Sequence, residues 1–362
     1  MKPQTLQKTA LALLVGWYAA NAAAYSEQGQ AGNTKSWESA EYLKDWGLTS
    51  MNASTAYALG FNGSGVKIGV MDSGVLLNHP EFQDGRIHVV KTEGTYSKDG
   101  MRYPDASVGN GPINKNEPVK NGKRNFDKTD NGIFTKGEAF NIDGAWHKYT
   151  NDAHGTHVGG TMAASRDGNE MHGVAFGANL YSANTGGNDN MTYGPNQDYS
   201  FFLQGYSALA DAGAKVINNS WGSNRRVNSS FAGALGYKPK YDWRDVPEYG
   251  VQYYDVPKAP EPISSPAAHI YLSNLGEAEK AYYQFVTSGE KNFVDAAYEV
   301  AKNKQVIQVF TAGNRSMMAE SFTRAMLPYF RPDVEKYWVN VTGQVGGEGL
   351  SLIHISEPTR PY

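Results

Sequence analysis

The stretch Asn151-Asp-Ala-His154-Gly-Thr-His157-Val-Gly-Gly160-Thr-Met-Ala-Ala164 gathers residues able to move protons. It sets a histidine at the mouth of a glycine-containing turn that runs into a helix of small residues. Small residues let a sheet pack close, so the first turn can be buried while the His154 imidazole faces a cleft. An imidazole held that way can serve as a proton acceptor near neutral pH. A structural loop histidine is the plainer alternative, and Asp152, His154 and His157 could instead belong to a metal site.

Three other segments bear on the choice. Gly65-Val-Lys-Ile-Gly-Val70-Met-Asp72-Ser-Gly74-Val reads as a buried strand, Val66 to Met71, that ends in an aspartate and a glycine turn. Sites in open parallel sheets form at the carboxyl ends of strands, which puts Asp72 where a carboxylate could orient a histidine. Lys215-Val-Ile-Asn-Asn-Ser220-Trp-Gly222 is a second strand with a polar end, and Gln305-Val-Ile-Gln-Val-Phe310-Thr-Ala-Gly313-Asn314 a third that finishes in an amide. Helical spacing of apolar residues marks Gln197 to Gly213 (Phe201, Phe202, Leu209, Ala212) and Phe293 to Lys302 (Phe293, Ala296, Ala297, Val300). Strands alternating with helices predict a parallel sheet with right-handed crossovers.

Taken in order, these segments resemble the subtilisin-like serine proteases, or subtilases. The resemblance rests on the Asp72 segment, His154-Gly-Thr-His-Val, Asn219-Ser-Trp-Gly222 and Ala312-Gly-Asn314, with Gly173 to Tyr181 similar to the strand after the histidine helix. It implies an α/β fold, the subtilisin-like three-layer architecture with a mostly parallel central sheet, incomplete at the C-terminus. It further implies that Asp72 orients the histidine, His154 is the general base, Ser220, Trp221 and Gly222 line the substrate cleft, and Asn314 donates to the oxyanion. His157 matches the family's second, usually structural, histidine. The implied activity is endopeptidase cleavage of protein or peptide substrates by a Ser-His-Asp triad, with no cofactor and no assigned metal. Asn184-Thr-Gly-Gly-Asn-Asp189-Asn190 offers oxygen ligands without regular calcium spacing and reads as a loop, calcium being the alternative.

The family's nucleophile segment, Gly-Thr-Ser-Met-Ala in type, has no counterpart after Asn314. Ser316-Met-Met-Ala319 follows Asn314 too closely to occupy a separate helix. Leu350-Ser-Leu-Ile-His-Ile-Ser-Glu-Pro-Thr-Arg360 looks like a translated sequencing adapter, and residues 350–362 are set outside the fold on that reading. A C-terminal strand over Leu350 to Ile355 is the alternative. The chain as written is therefore expected to be a peptidase domain, residues 25–349, without peptidase activity. Two rivals predict differently: a surface-binding pseudo-protease on the same scaffold, and a metal-dependent hydrolase built on Asp152, His154 and His157.

The remaining sequence bears on location and surface. Lys2 and Lys8, an apolar run from Ala10 to Ala20 and then Asn21-Ala-Ala-Ala24 make residues 1–24 a signal peptide, so export to the cell surface or medium is expected. With Cys 0, disulfides contribute nothing. A net charge of -3 gives no reason to expect nucleic acid or an anionic membrane as partner. The interval from Ala24 to Asp72 leaves no room for a separately folded pro-region, which resembles the autotransporter branch of subtilases, as does Leu327 to Trp338. Membrane attachment would then come from a C-terminal β-barrel outside this chain. Helices are expected from Ser36 to Trp46, ended by Gly47, and from Ala53 to Leu59. Two long insertions, about Lys91 to Asn141 and Asn224 to Ser273, read as surface loops that either shape substrate access or are merely tolerated.

Overall fold

A computed structural model describes residues 29–101, 133–146, 153–185, 198–221, 245–246, 251–252, 291–311 and 327–341. Its frame is a six-stranded sheet of β1 (Lys67–Asp72), β2 (Ile87–Val89), β3 (Asn179–Asn184), β4 (Val216–Asn219), β5 (Ile307–Thr311) and β6 (Trp338–Val341). The spatial order is β6-β5-β4-β1-β3-β2, and every neighbouring pair is parallel. The sheet grows from β1 to one side as far as β3, then resumes on the other side with β4. That reversal at β1 opens a crevice at the carboxyl ends of β1, β3 and β4, the usual place for a site in such sheets.

Strand alternation sorts the side chains into layers. Val70 and Leu180 point to the face covered by α1 (His154–Ala163), where they pack with Val75, Phe82, Val158 and Ala163. Met71, Ala183, Ile217 and Phe310 point to the opposite face, against α2 (Tyr199–Asp211) and α3 (Phe293–Lys304). The expected three layers and mostly parallel sheet are therefore present. Phe201, Phe202 and Tyr206 of α2 are fully buried there, and each such side chain contributes about 1.5–3 kcal/mol of transfer free energy. Asn292 and Asp295 form a capping box that starts α3, while Lys304 at its end pairs with Asp211 of α2. The two helices are thus fixed side by side, α2 against β1 and β3 and α3 against β5.

Two expectations need correction. Instead of one helix from Ser36 to Trp46, a 3-10 turn (Thr34–Trp37) precedes separate helices at Ala40–Lys44 and Trp46–Ser50. Ser39 and Asp45 each cap a new start, and the Gly47 amide donates to Asp45 Oδ1 at 2.8 Å, so Gly47 lies inside a helix instead of ending one. The first insertion is likewise more than surface loop. Its stems pair antiparallel, Lys91–Thr95 with Ala139–Asp143 and then Gly100–Met101 with Ile133–Phe134. Tyr96, Phe134 and Phe140 of this hairpin are buried in the same cluster as Phe201. Residues 102–132 and most of the second insertion lie outside the described residues; so do residues 1–24, expected to be a signal peptide, and residues 350–362.

The far end of α1 is held by charge. Ser165 Oγ lies 2.9 Å from the Glu81 carbonyl and 2.8 Å from Asp84 Oδ2, its one proton shared between these two acceptors. Arg86 reaches the carbonyls of Ala163 and Ala178, tying α1 to the start of β3. Burial, then the charges of Asp167, Glu41, Glu170 and Asp84, push the Glu81 carboxyl from 4.5 up to about 7. The folded form holds that proton more tightly than the unfolded form, so its contribution is present at low pH and lost as pH rises toward about 7. Glu81→Gln is expected to raise Tm more at pH 8 than at pH 5; an equal or opposite change would contradict this placement.

Candidate active site

The residue that closes β1 and the residue that opens α1 meet at the crevice. Asp72 is wholly buried, and its Oδ1 lies 2.8 Å from His154 Nδ1, while the His154 side chain keeps 29% exposure. The same Oδ1 accepts the Ser73 backbone N–H at 2.7 Å. With Nδ1–H donated to the carboxylate, Nε2 is the ring atom that can take a proton from the cleft side. A buried carboxylate bonded this way fixes both tautomer and ring direction.

The local sequence explains how α1 comes so near. Gly155 Cα faces the turn after β1, where an added Cβ would stand 2.5 Å from the Gly74 carbonyl oxygen and 3.0 Å from the Ser73 nitrogen. Gly159, one turn on, faces Val75 and Leu180, with an added Cβ 3.1 Å and 3.2 Å from their side chains. No side chain caps α1 at Ala153. The Gly155 N–H is satisfied by Ser73 Oγ at 2.8 Å, and Thr156 Oγ1 accepts from Leu76 N–H at 3.0 Å. The Gly155→Ala methyl runs into the Ser73–Gly74 backbone of the turn after β1, so α1 must move away from β1. We expect a loss of about 1–3 kcal/mol of stability, with a larger fall in activity than in stability because the His154–Asp72 contact opens. Denaturant titration and peptide hydrolysis measured on one preparation check this.

Asp72 is also held through its backbone. Its carbonyl accepts from Thr185 N at 2.8 Å and Thr185 Oγ1 at 3.2 Å. The hairpin's return stem is knitted to the turn after it: Val75 N donates to Gly144 O, Trp146 N donates to Val75 O, and Asn184 Nδ2 reaches Ala145 O at 2.7 Å. Gly74 adopts φ +88 there, a conformation suited to glycine.

The other expected site residues fall out unevenly. Ser220 lies at the end of β4, its Oγ accepting from Asn218 Nδ2 at 2.8 Å. Trp221 is expected from the sequence to flank a substrate pocket, but its indole is turned inward and 4% exposed, between Phe202 and Phe293. Gly222 and Asn314 lie outside the described residues. So does Asp152, one member of the metal alternative; among the described residues no group of three or more His, Cys, Asp or Glu is placed to hold a metal. His157 is exposed on α1. Of the loop considered for calcium, Asn184 serves the Ala145 carbonyl and 186–190 lie outside the described residues. Sequence reasoning misses Ser73 and Thr185, although a hydroxyl directly after a strand-ending aspartate is a usable signal for a helix capped from outside.

A buried aspartate orienting a histidine at the carboxyl ends of parallel strands is the base machinery of the serine hydrolases. The subtilase family profile matches residues 63–344, and the chain belongs to that family. The chain is 29% identical over 353 residues to an extracellular serine protease of Serratia marcescens, covering 95% of this chain and 26% of that protein. It is 28% identical over 275 residues to bacillopeptidase F of Bacillus subtilis, covering 71% of this chain and 16% of that protein. The fervidolysin crystal structure from Fervidobacterium pennivorans overlaps 82% of this chain and 30% of its own, at 18% identity and TM-score 0.32. The chain thus spans about a quarter or less of the length of the curated relatives named here.

Proposed function

We propose that this chain carries the base-bearing part of a secreted serine endopeptidase. One observation supports the reading above all: the buried Asp72 carboxylate 2.8 Å from His154 Nδ1, at the crevice where the sheet reverses. A serine attacks the peptide carbonyl, His154 Nε2 takes its proton and passes it to the leaving amine, and Asp72 holds the imidazole and steadies the cation. Asn314, with a backbone N–H, stabilises the oxyanion, and Ser220 to Gly222 border the bound peptide through their backbone. The chemistry needs no cofactor. Export is supported by the composition of residues 1–24 and by the description of the Serratia relatives as extracellular. Among the described residues no helix is long and apolar enough to cross a membrane. Attachment through a β-barrel, as in autotransporters, remains part of this proposal.

No segment of the nucleophile type follows Asn314 in the sequence. We therefore expect the chain alone to hydrolyse no peptide, and genomic sequence read beyond the Gly349 codon to encode a Gly-Thr-Ser-Met-Ala-type segment in place of residues 350–362. A natural gene lacking that segment would favour the pseudo-protease. Hydrolysis by the chain that chelators abolish and serine reagents leave untouched would favour the metal enzyme.

A further inference from the structure

The two neighbours of β1 part from it at different points. Pairing with β3 runs to Asp72↔Asn184, whereas pairing with β4 ends at Val70↔Asn218, two residues short of the carboxylate. Where that ladder stops, a side chain continues it: Trp221 Nε1 donates to the Met71 carbonyl at 2.6 Å. From the other side Thr185 holds the carbonyl of Asp72 through both its N–H and its hydroxyl. Met71 and Asp72 are thus gripped from both flanking strands at the place where the sheet opens.

We infer that Trp221 is a positioning residue for the Asp72–His154 pair, its indole N–H holding the end of β1 across the crevice that opens as β4 leaves it. The inference rests on the protease reading above. Burial supports it, because the ring sits between Phe202 and Phe293 at centroid distances of 5.5 Å and 5.3 Å and offers little surface to a substrate. A buried indole whose N–H has a partner is satisfied, and its loss leaves the Met71 carbonyl without that donor in a dry place. The strand end then has freedom to drift, and the carboxylate drifts with it. Asn219, on the same face as Trp221, has its own buried partners in Tyr206 and Gln308, so β4 is anchored and can act as the fixed side of this contact.

The test is Trp221→Phe, which keeps a ring among Phe202 and Phe293 but removes the N–H. Phe293→Leu is the matched control, disturbing the same cluster without touching Met71. The readout on the 362-residue chain is the proton resonance of His154 Nδ1–H, which a carboxylate partner moves far downfield. We expect Trp221→Phe to shift it upfield and broaden it, and Phe293→Leu to leave it in place. In the complete gene product kcat falls about tenfold to a hundredfold in Trp221→Phe, the scale of a small misplacement of a catalytic group, with KM little changed. If the two variants give the same resonance, or if KM and side-chain preference change while the resonance stays, Trp221 does not position the pair. Should Trp221→Phe fail to fold, benzothienylalanine at position 221 keeps the bicyclic shape and replaces the N–H with sulfur. A parent chain without a downfield resonance that Asp72→Asn removes would instead overturn the protease reading, and this inference with it.

Discussion

His154→Ala in the complete gene product lowers kcat by about a million-fold, the magnitude known for the histidine of the subtilisin triad, whose family this chain joins. The physical reason is local. His154 is the described ring that combines an exposed face toward the crevice with a buried carboxylate behind it. Without it a serine hydroxyl has no acceptor for its proton at neutral pH, and the leaving amine has no donor. The variant also leaves the Asp72 carboxylate buried with the Ser73 amide as its described partner, so a loss of stability is expected alongside the loss of rate. Peptide hydrolysis and urea unfolding of one preparation separate the two. A His154→Ala enzyme retaining even a hundredth of parental kcat would remove the histidine from the role of base.

Asp72→Asn is expected to lower kcat by about ten-thousand-fold while leaving KM and the fold nearly intact. The change is close to isosteric, and its effect lies in hydrogen-bond polarity. Asp72 Oδ1 accepts from both the Ser73 amide and His154 Nδ1. An asparagine that places its NH2 at the Oδ1 position donates to the ring, which then presents Nδ1 as an acceptor and carries its proton on Nε2. The nitrogen facing the crevice is then the wrong tautomer for a base. The carboxylate's other oxygen, Oδ2, is buried without a hydrogen-bond partner among the described residues, so no bond to that atom holds the group against a flip, and the bond lost is the one from the Ser73 amide. Steady-state kinetics check the split; a variant that loses affinity but keeps kcat would mean that Asp72 serves binding.

Much of this arrangement is legible because strand ends and glycine turns leave marks on a sequence. Val70-Met-Asp72-Ser-Gly74 shows a buried strand meeting a turn, and the run from His154 to Ala164 shows a helix small enough to lie against it. The layers follow from period-two and helical spacing in β1, β4, β5, α2 and α3. Trp221 departs from its expected place for a reason that the same periodicity contains. Ile217, Asn219 and Trp221 fall on one side of a strand, and Ile217 is a core residue, so the indole belongs with it. The hairpin is hidden because Thr92, Tyr96, Phe134 and Phe140 are scattered through polar sequence, and their shared burial depends on pairing between segments far apart in the chain. The expected N-terminal helix is too long because it treats Ser39 and Asp45 as ordinary helical residues, although each is a residue type that starts a new helix.

The most direct measurement is fluorophosphonate labelling of the natively folded, complete gene product, with the modified residue mapped by mass spectrometry. The expected result is a single labelled serine encoded beyond Gly349, with labelling lost in His154→Ala and in heat-unfolded protein. Absence of labelling in the folded product, or labelling that persists without His154, would contradict a serine nucleophile activated by the Asp72–His154 pair.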